Sequence, residues 1–429
     1  MPRVLLLMTT TTYRASAFLE AARSLGVPVV VGTDQPQALA SLHPAGHLTL
    51  DFSDPARAAR EIAAFAQQHA LDAVLAADDE GAVLAAQAAE ALGLAHAPVA
   101  AVRAARSKLA SREAFARGGL PTPRFERFAI ADDTEAVARR VRYPCVLKPL
   151  FLAASRGVIR ANDGAQLVAA FARIAALLRR PGLAAPGGEE ARSILVEDYI
   201  PGIEVALEGL VTGGRLRVLA LFDKPDPLEG PYFEETIYVT PSRLAARRQE
   251  AVVAATQRAI EALGLSHGPI HAELRLDGDV VWPLEIAPRS IGGLCSRALR
   301  FGEGLSLEEL ILRHALGMEA DALEREPGAS GVMMIPIPRA GILRAVGGIE
   351  EAKAVPGIGD VRITIPLGQE VVPLPEGSRY LGFIFARAEG PGRAESALRE
   401  AHRRLRFDIV SPPPVASGAG GKATEGALE

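Results

Sequence analysis

Short apolar runs and amphipathic stretches alternate along the first hundred residues of the chain. β-rich runs such as RVLLLM, VPVVVGTD and DAVLAADD are separated by helical segments such as SAFLEAARSLG and GAVLAAQAAEALG. Strands that alternate with helices favour a parallel, doubly wound sheet. No GxGxxG fingerprint follows the first strand, so Asp34 is weak evidence for a dinucleotide. The preferred interpretation of residues 3–97 is a domain that faces the substrate or has a purely structural role.

The pattern changes after residue 97 and divides the rest of the chain. A helical stretch, AAVRAARSKLASREAFARGG, ends at LPTP, and strands such as PCVLKP and VIRA then combine with two helices. A Gly-Gly turn lies in a second strand-rich unit, and strands return near the end. The predicted units are a Rossmann-like domain at 1–97, a helical linker at 98–122, a small subdomain at 123–192, a large subdomain at 193–328, a C-terminal domain at 329–411 and a disordered tail at 412–429. We also expect a flexible Pro/Gly connection at 181–191, and a multidomain fold with α/β and α+β parts.

The composition argues against several classes of protein. The chain has 429 residues, 49% of them hydrophobic, and a net charge of −4 with well-mixed signs, which offers no basic surface to nucleic acid. No apolar run reaches about 18 residues, so no transmembrane helix is expected. The run from Val4 to Met8 is too short for a signal peptide. Two cysteines cannot build a disulfide framework, which fits a reducing cytoplasm.

Two glutamates lie within apolar runs that read as a hairpin. In HAELRLDGDVVWPLEIA, two strands are joined at DGD. If Asp277 faces Val281 across a loop of three residues, Glu273 faces Glu285, whereas an even-length loop would put them on opposite faces. Opposed carboxylates repel unless a cation or a shared proton lies between them, and oxygen ligands favour Mg²⁺ or Mn²⁺. The alternative is one solvated glutamate and another at a strand end.

Other charged residues lie at the ends of apolar strands. Lys148 ends PCVLKP, and the loop after it contains Ser155, Arg156 and Gly157, whose backbone N–H groups could approach a phosphate. Acidic residues follow in ILVEDYIPGIEV, where carboxylates could accept from an amino group or from ribose hydroxyls. A solvated charge is the alternative for Lys108 in the linker and for the loop acids.

Taken in order, several segments resemble the ATP-grasp superfamily of carboxylate–amine ligases. They are SKLASREAFARGGLPTPRF, YPCVLKPLFLAASRGVIRAND, LVEDYIPGIEVALEGL, GPIHAELRLDGDVVWPLEIAPR and the strand-rich end. The resemblance covers about residues 1 to 410, and its C-terminal part looks closest to bacterial L-amino-acid ligases, which make dipeptides. It implies a central two-lobed ATP-grasp domain, ATP with Mg²⁺ or Mn²⁺, and an acyl phosphate that an amine converts to an amide.

The same resemblance implies partners and leaves alternatives open. The substrates are small-molecule carboxylates and amines, amino acids in the first place, without nucleic acid or membrane, and a homodimer is left open. A ligase for another acid and amine, in a nucleotide pathway or a natural-product step, is one alternative. A nucleotide-binding homologue that has lost catalysis is the other.

Single residues also receive roles from the resemblance. The ATP-binding residues it implies are Lys108, Lys148, Ser155, Arg156, Gly157, Glu197, Tyr199, Ile200 and Glu204. Glu273 and Glu285 match the magnesium ligands, and Arg289 matches the arginine that meets the transferred phosphoryl group. The family usually has Glu-x-Asn where this chain has Ala287, so we expect a weaker second metal ion or a single one.

Candidate substrate residues come from three segments. They are Tyr232, Phe233, Glu234 and Glu235 in PLEGPYFEET, Ser290, Gly292, Gly293 and Arg297 in SIGGLCSR, and His271 on the face of Glu273. A protonated amine favours a carboxylate, and a substrate carboxylate favours N–H donors and a guanidinium. A surface loop and a packed, hydrogen-bonded histidine are the alternatives.

Overall fold

The computed structural model describes residues 2–36, 46–180, 188–319 and 324–411. The expected disordered tail at 412–429 and residues 181–187 of the expected flexible connection lie outside the described residues. Across the described ranges, no helix combines the length and the apolar character that crossing a membrane requires.

A parallel sheet forms the N-terminal part of the molecule. Its elements are β1 (Val4–Met8), α1 (Ala15–Ser24), β2 (Val29–Thr33), β3 (His47–Thr49), α2 (Pro55–Ala66), β4 (Ala73–Ala76) and α3 (Ala82–Ala91). The strand order is β3-β2-β1-β4, and all pairs are parallel. Leu5 and Leu7 share a core with Ile62 of α2, whereas Leu6 shares one with Phe18 of α1, so both faces of β1 are covered. The predicted Rossmann-like sheet is confirmed.

Two helices form the linker. They are α4 (Val99–Arg106) and α5 (Lys108–Arg117). Ser107 separates them, and its hydroxyl accepts a hydrogen bond from the amide of Ala110, which caps the N-terminus of α5. Lys108 and Arg112 therefore lie one turn apart on the same side of α5.

An antiparallel sheet with two helices follows. Its elements are β5 (Phe125–Ala129), α6 (Thr134–Arg140), β6 (Cys145–Pro149), β7 (Ile159–Ala161), α7 (Gly164–Leu178) and β8 (Ser193–Asp198). The order is β5-β8-β6-β7, and Phe171 of α7 packs with Leu147 and Ile194 of the sheet. Because β8 lies between β5 and β6, the predicted boundary at 192/193 falls one strand before this sheet is complete.

A long antiparallel sheet holds the rest of the chain together. The first elements are β9 (Ile203–Thr212), β10 (Arg215–Asp223), β11 (Ile237–Thr240), α8 (Ala246–Leu263), β12 (His267–Asp277), β13 (Val280–Ala287) and α9 (Leu307–Ala315). The predicted Gly-Gly turn joins β9 to β10, with positive φ at Gly213 and Gly214. Val252 and Ile260 of α8 pack against Leu274 and Ile286 of the sheet.

The C-terminal elements continue the same sheet. They are β14 (Ala329–Ile335), β15 (Gly341–Gly347), α10 (Ile349–Lys353), β16 (Ile358–Ile363), β17 (Glu370–Val371), β18 (Gly382–Ala388), α11 (Pro391–Arg404) and β19 (Arg406–Val410). The long sheet runs in the order β13-β12-β9-β10-β11-β14-β18-β16, and a separate sheet has the order β17-β15-β19. The hydrogen-bonded ladder between β11 and β14 therefore crosses the predicted boundary at 328/329.

Candidate active site

A cavity of about 390 Å³ lies between the N-terminal parallel sheet, the small sheet β5-β8-β6-β7 and the long sheet. The loops after β1 and β4 reach it from the N-terminal side. The order β3-β2-β1-β4 places β2 and β4 on opposite sides of β1, so the strand order reverses between β1 and β4. The carboxyl ends of strands at such a reversal are a usual place for a ligand. Ser378 and Tyr380 contribute to the wall from the C-terminal part.

Most of the predicted site residues line this cavity. They are Lys108, Lys148, Ser155, Arg156, Glu197, Tyr199, Ile200, Glu204, Phe233, Glu235, His271, Glu273, Glu285, Arg289, Gly292 and Gly293. These residues are separated by up to 185 positions in the sequence. The fold therefore brings together groups that lie in separate sequence motifs.

The hairpin of β12 and β13 pairs Glu273 with Glu285, but its turn differs from the expected one. Asp277 pairs with Val280 and not with Val281, so the loop contains two residues rather than three. In a regular hairpin this even-length loop would place the two glutamates on different faces. The expected turn was therefore wrong, although the expected pair is present.

A β-bulge restores the register. Leu274 pairs with Pro283 while Glu273 pairs with Glu285, so Leu284 is an extra residue on β13. A bulge of this kind places two residues of one strand opposite one residue of its partner and redirects the side chains that follow. Proline is tolerated here because β13 is the edge strand of the sheet.

Both glutamates of the pair already contact cations of the protein. Lys108 Nζ lies 3.5 Å from Glu285 Oε2, and Lys224 Nζ lies 3.1 Å from Glu273 Oε1. Burial by itself would raise the pKa of Glu273, but Lys224 and His271 outweigh it and hold the pKa well below its usual range. The pair is thus a set of carboxylate oxygens facing one cavity, which is the donor chemistry that Mg²⁺ and Mn²⁺ accept.

Lys224 lies at the centre of a second carboxylate group that the sequence reading missed. Its ammonium donates to Glu204 at 2.7 Å, to Glu273 at 3.1 Å and also to Glu235, and it lies 5.1 Å from the ring centre of Tyr238. Ligand atoms of the three glutamates lie within 4.8 Å of one another, but Lys224 already supplies positive charge there. Burial raises the pKa of Glu235 to about 7, with Lys224 opposing and Glu273 adding to the effect.

His271 lies opposite Ala287 in the hairpin and contacts two acids. Its Nδ1 hydrogen-bonds with Glu208, and its Nε2 lies 3.5 Å from Glu273 Oε1. Burial would lower the pKa of His271, but the two carboxylates raise it to about 9. The second oxygen of Glu208 accepts from the amide of Ile291 at 2.9 Å. His271 is therefore both a packed, hydrogen-bonded side chain and part of the cavity wall.

The predicted phosphate loop adopts an unusual backbone. Ala154 and Ser155 both have φ of 54°, a region that residues with a side chain rarely occupy and that recurs at ligand clamps. The amide of Gly157 and Nε of Arg156 donate to backbone carbonyls of residues 375–376, at 2.8 and 2.9 Å. The loop is thus held against the C-terminal part of the molecule.

Arg289 is held by an acid from the N-terminal sheet. Its Nε and Nη2 lie 2.9 and 2.8 Å from Oδ2 of Asp79, and Arg106 lies 2.9 Å from the other oxygen. Burial opposes ionisation of Asp79, but Arg289 and Arg106 outweigh it and lower its pKa. Asp79 was not among the predicted site residues, although an acid that follows an apolar strand, here β4, is a local signal of a functional residue.

Glu197 is buried between two cations. Lys148 contacts its carboxylate, and Arg112 forms a fork with it at 2.8 and 3.2 Å. Burial would raise the pKa of Glu197, but Arg112 and Lys148 lower it to about 2. Arg112 was not among the predicted residues, because nothing in the sequence distinguishes it from the other arginines of the linker.

Five predicted residues do not line the cavity. They are Gly157, Tyr232, Glu234, Ser290 and Arg297. The side chains of Tyr232, Ser290 and Arg297 are held by Arg173, Arg14 and Asp360, respectively. Partial burial raises the pKa of Glu234. The last four lie behind or beside the wall of the cavity, and their role as substrate contacts stays a prediction.

Family models match three successive parts of the chain. The ATP-grasp N-terminal domain matches residues 19–96, the ATP-grasp domain matches 141–298, and L-amino acid ligase C-terminal domain 2 matches 333–410. The chain belongs to the ATP-grasp superfamily. This order of units confirms the predicted resemblance and the predicted fold class.

Individual relatives of this ATP-grasp chain carry the names of ligases and synthases. The crystal structure of an L-amino acid ligase from Bacillus licheniformis matches with a TM-score of 0.81 at 26% identity, over 96% of this chain and 99% of that one. The alanine–anticapsin ligase of Bacillus amyloliquefaciens is 28% identical over 285 residues, which are 62% of this chain and 60% of that protein. Carnosine synthase 1 of Gallus gallus is 30% identical over 367 residues, 80% of this chain and 37% of that protein. The ATP-grasp chain thus spans 60% or less of the length of these two curated relatives.

Proposed function

We propose that this protein is an ATP-dependent ligase that joins the carboxylate of one L-amino acid to the amine of another through an acyl phosphate. The observation that carries the proposal is the meeting of opposed carboxylates, Glu273 and Glu285, with Lys108, Lys148 and Arg289 in one cavity. Such a set suits a polyanionic nucleotide and a second anion. The names L-amino acid ligase and alanine–anticapsin ligase support an amino acid as one substrate.

The reaction follows from the chemistry of the two substrates. A carboxylate resists attack by an amine, so the γ-phosphoryl group of ATP is first transferred to it, which gives an acyl phosphate and ADP. The amine then attacks the acyl carbon, phosphate leaves, and an amide remains. Two anions must approach each other in the first step, and positive groups fixed in place lower that repulsion.

The chain's own residues divide this work. Lys108 and Lys148 offer ammonium groups at the nucleotide end of the cavity, and Arg289, fixed by Asp79, offers a guanidinium to the transferred phosphoryl group. The carboxylates of Glu273 and Glu285 fit a divalent cation, Mg²⁺ or Mn²⁺, which would add positive charge near the phosphates when bound. The loop around Ser155 would exclude water, which otherwise hydrolyses an acyl phosphate.

The amino-acid end of the cavity lies near the carboxyl edge of the N-terminal sheet. Glu235 and His271 supply polar groups there, and Gly292, which has open space where a side chain would be, leaves room for a substrate. Both cysteines are free and buried, which is consistent with the predicted cytoplasmic location.

ADP release with paired L-amino acids tests the proposal. At least one pair is expected to stimulate release above either amino acid alone, with a dipeptide detected by mass spectrometry. Glu285→Gln removes one charge from the metal-binding pair and is expected to lower turnover by roughly 100-fold or more. Glu250→Gln, an exposed glutamate on α8, is the control and should keep wild-type turnover.

The outcomes separate the alternatives. If no amino-acid pair stimulates ADP release but another acid and amine do, the chain is a ligase for different substrates. If Glu285→Gln leaves every measured rate unchanged, catalysis by this site is excluded and a nucleotide-binding homologue is the better description.

A further inference from the structure

Arg112 is a buried cation without a role in the proposed reaction. The residue is 2% exposed, and it does not belong to the wall of the cavity. A charge removed from water in this way is costly unless it is paired and hydrogen-bonded. Its partners therefore indicate what the residue does.

On one side, the Arg112 guanidinium binds Glu197, at the end of the cavity where we propose that the nucleotide binds. Nε donates to Glu197 Oε2 at 2.8 Å and Nη2 donates to Glu197 Oε1 at 3.2 Å, while Lys148 contacts the same carboxylate. A planar fork of this kind fixes both distance and orientation, which a lysine ammonium cannot do. Arg112 thus orients the carboxylate that also holds Lys148.

The other side of the guanidinium binds the metal-binding strand. Nη1 of Arg112 donates to the carbonyl of Leu284 at 2.8 Å and to that of Pro283 at 3.2 Å. Successive carbonyls of a regular strand point in opposite directions, so one donor reaches both only where the strand is distorted. Leu284 is the extra residue of the bulge that places Glu285 opposite Glu273.

We propose that Arg112 is a positioning residue that fixes the bulge of β13, and through it the register of Glu285, against the Glu197–Lys148 pair. The inference rests on the proposed role of Glu285 in holding a divalent cation. Without Arg112, the carbonyls of Pro283 and Leu284 would lose this charged donor in a buried or half-buried place, which favours loss of the bulge. A shift by one residue would turn Glu285 to the other face of the sheet.

Helix α5 connects the two ends of the site through this arrangement. Lys108, one turn before Arg112, lies 3.5 Å from the Glu285 carboxylate itself. The helix therefore contacts Glu285 directly and holds the backbone just before it. Helix α5 thus links Glu197, which holds Lys148, to Glu285 of the proposed metal site.

Magnesium-dependent binding of ADP tests the proposal without any amino-acid substrate. In Arg112→Lys, one ammonium nitrogen replaces the three guanidinium nitrogens that bind Glu197 and the two carbonyls, so the planar fork is lost. The Mg²⁺ concentration that gives half of the maximal ADP affinity, measured by calorimetry, is expected to rise roughly tenfold, as for other residues that orient metal ligands. Amide hydrogen exchange in the peptide 280–287 is expected to become faster in the same variant.

Arg258→Lys is the matched control. Arg258 also donates to two backbone carbonyls, those of Gly118 and Gly119 at the far end of α5, but away from the cavity. The control should keep the wild-type magnesium requirement and the wild-type exchange in 280–287. If Arg112→Lys gives no cooperative thermal transition, Arg112→Gln, which keeps a donor but not the fork, is measured in the same way.

The possible results can be told apart. A folded Arg112 variant with wild-type magnesium dependence and wild-type exchange overturns the positioning role. A wild-type chain that binds no ADP with magnesium overturns both this inference and the proposed function. Magnesium-dependent ADP binding that weakens in Arg112→Lys, without a reaction of any amino-acid pair, supports the positioning role and rejects the dipeptide product.

Discussion

At the residue scale, Ala287 distinguishes this site from the Glu-x-Asn pattern of its superfamily. The residue follows Glu285 by two positions on the same face of β13, pairs with His271 and is 2% exposed. A methyl group cannot ligate a cation, and His271, whose pKa is raised to about 9, brings a positive charge to the opposite strand. We expect both features to weaken the binding of a second divalent ion.

Ala287→Asn should therefore lower the magnesium requirement. The added amide oxygen can serve as a ligand, so the Mg²⁺ concentration for half-maximal turnover is expected to fall by roughly three- to tenfold. Ala287→Leu adds a side chain of similar size without an oxygen and controls for the change in packing. An unchanged magnesium dependence in Ala287→Asn, with the fold intact, would show that this position does not limit metal binding.

At the element scale, the buried ion pairs of Glu197 hold α5, β6 and β8 together. Arg112 lies on α5 and Lys148 on β6, so one carboxylate on β8 neutralises cations from two neighbouring elements. The folded-state pKa of Glu197 is about 2, against an ordinary value of 4.5. The ionised carboxylate therefore stabilises the folded chain above about pH 5, and this contribution is lost as the pH falls toward 2.

Glu197→Gln is expected to destabilise the protein most at neutral pH. Two buried cations lose their counter-charge, which lowers the free energy of unfolding by about 3–5 kcal/mol. The difference in the free energy of unfolding between wild type and variant should decrease by about 1 kcal/mol from pH 7 to pH 4, because only the wild type loses the carboxylate contribution. Denaturant unfolding at pH 7 and pH 4 measures this difference. A difference that increases toward pH 4 would contradict the pKa of about 2 for Glu197.

The same elements show what the sequence could and could not predict. Lys148 and Glu197 lie near the ends of apolar strands and the glutamate pair lies within apolar runs, where a charge is conspicuous in the sequence. The Gly213-Gly214 turn has a strong local signal. The bulge at Leu284 left no such signal, because the side chain that contacts its carbonyl, Arg112, is distant in sequence. Lys224 was missed for the same reason, since only the folded chain brings its partners to it. Asp79 did have a local signal, because it follows an apolar strand, but its partner Arg289 is distant in sequence.

At the scale of the whole molecule, Arg173 connects three parts of the chain. It lies on α7 of the small sheet, contacts the hydroxyl of Tyr232 before β11, and forms a fork with Glu376 of the C-terminal part, with Nη2 at 2.9 Å from Oε2. Arg156 of the phosphate loop donates to the backbone of the same Glu376. The position of the loop over the cavity is thus coupled to the C-terminal segment.

Arg173→Ala is expected to let water reach the acyl phosphate. The ratio of ADP released to dipeptide formed should rise severalfold, because the loop around Arg156 closes less completely. The thermal midpoint should change little, since the ion pair is partly exposed. Arg57→Ala, which breaks an exposed pair with Glu61 on α2, is the control. A wild-type ratio in Arg173→Ala would mean that this contact does not govern closure.

The ladder between β11 and β14 has a practical consequence for protein engineering. A chain cut after residue 328 would leave β11 as a bare edge, with Ile237 and Val239 no longer covered on the C-terminal side. Open edges with apolar side chains are templates for intermolecular pairing. The C-terminal part can therefore not be exchanged between relatives as a separate module, and chimeras should join within the α9–β14 connection only if they keep a strand to pair with β11.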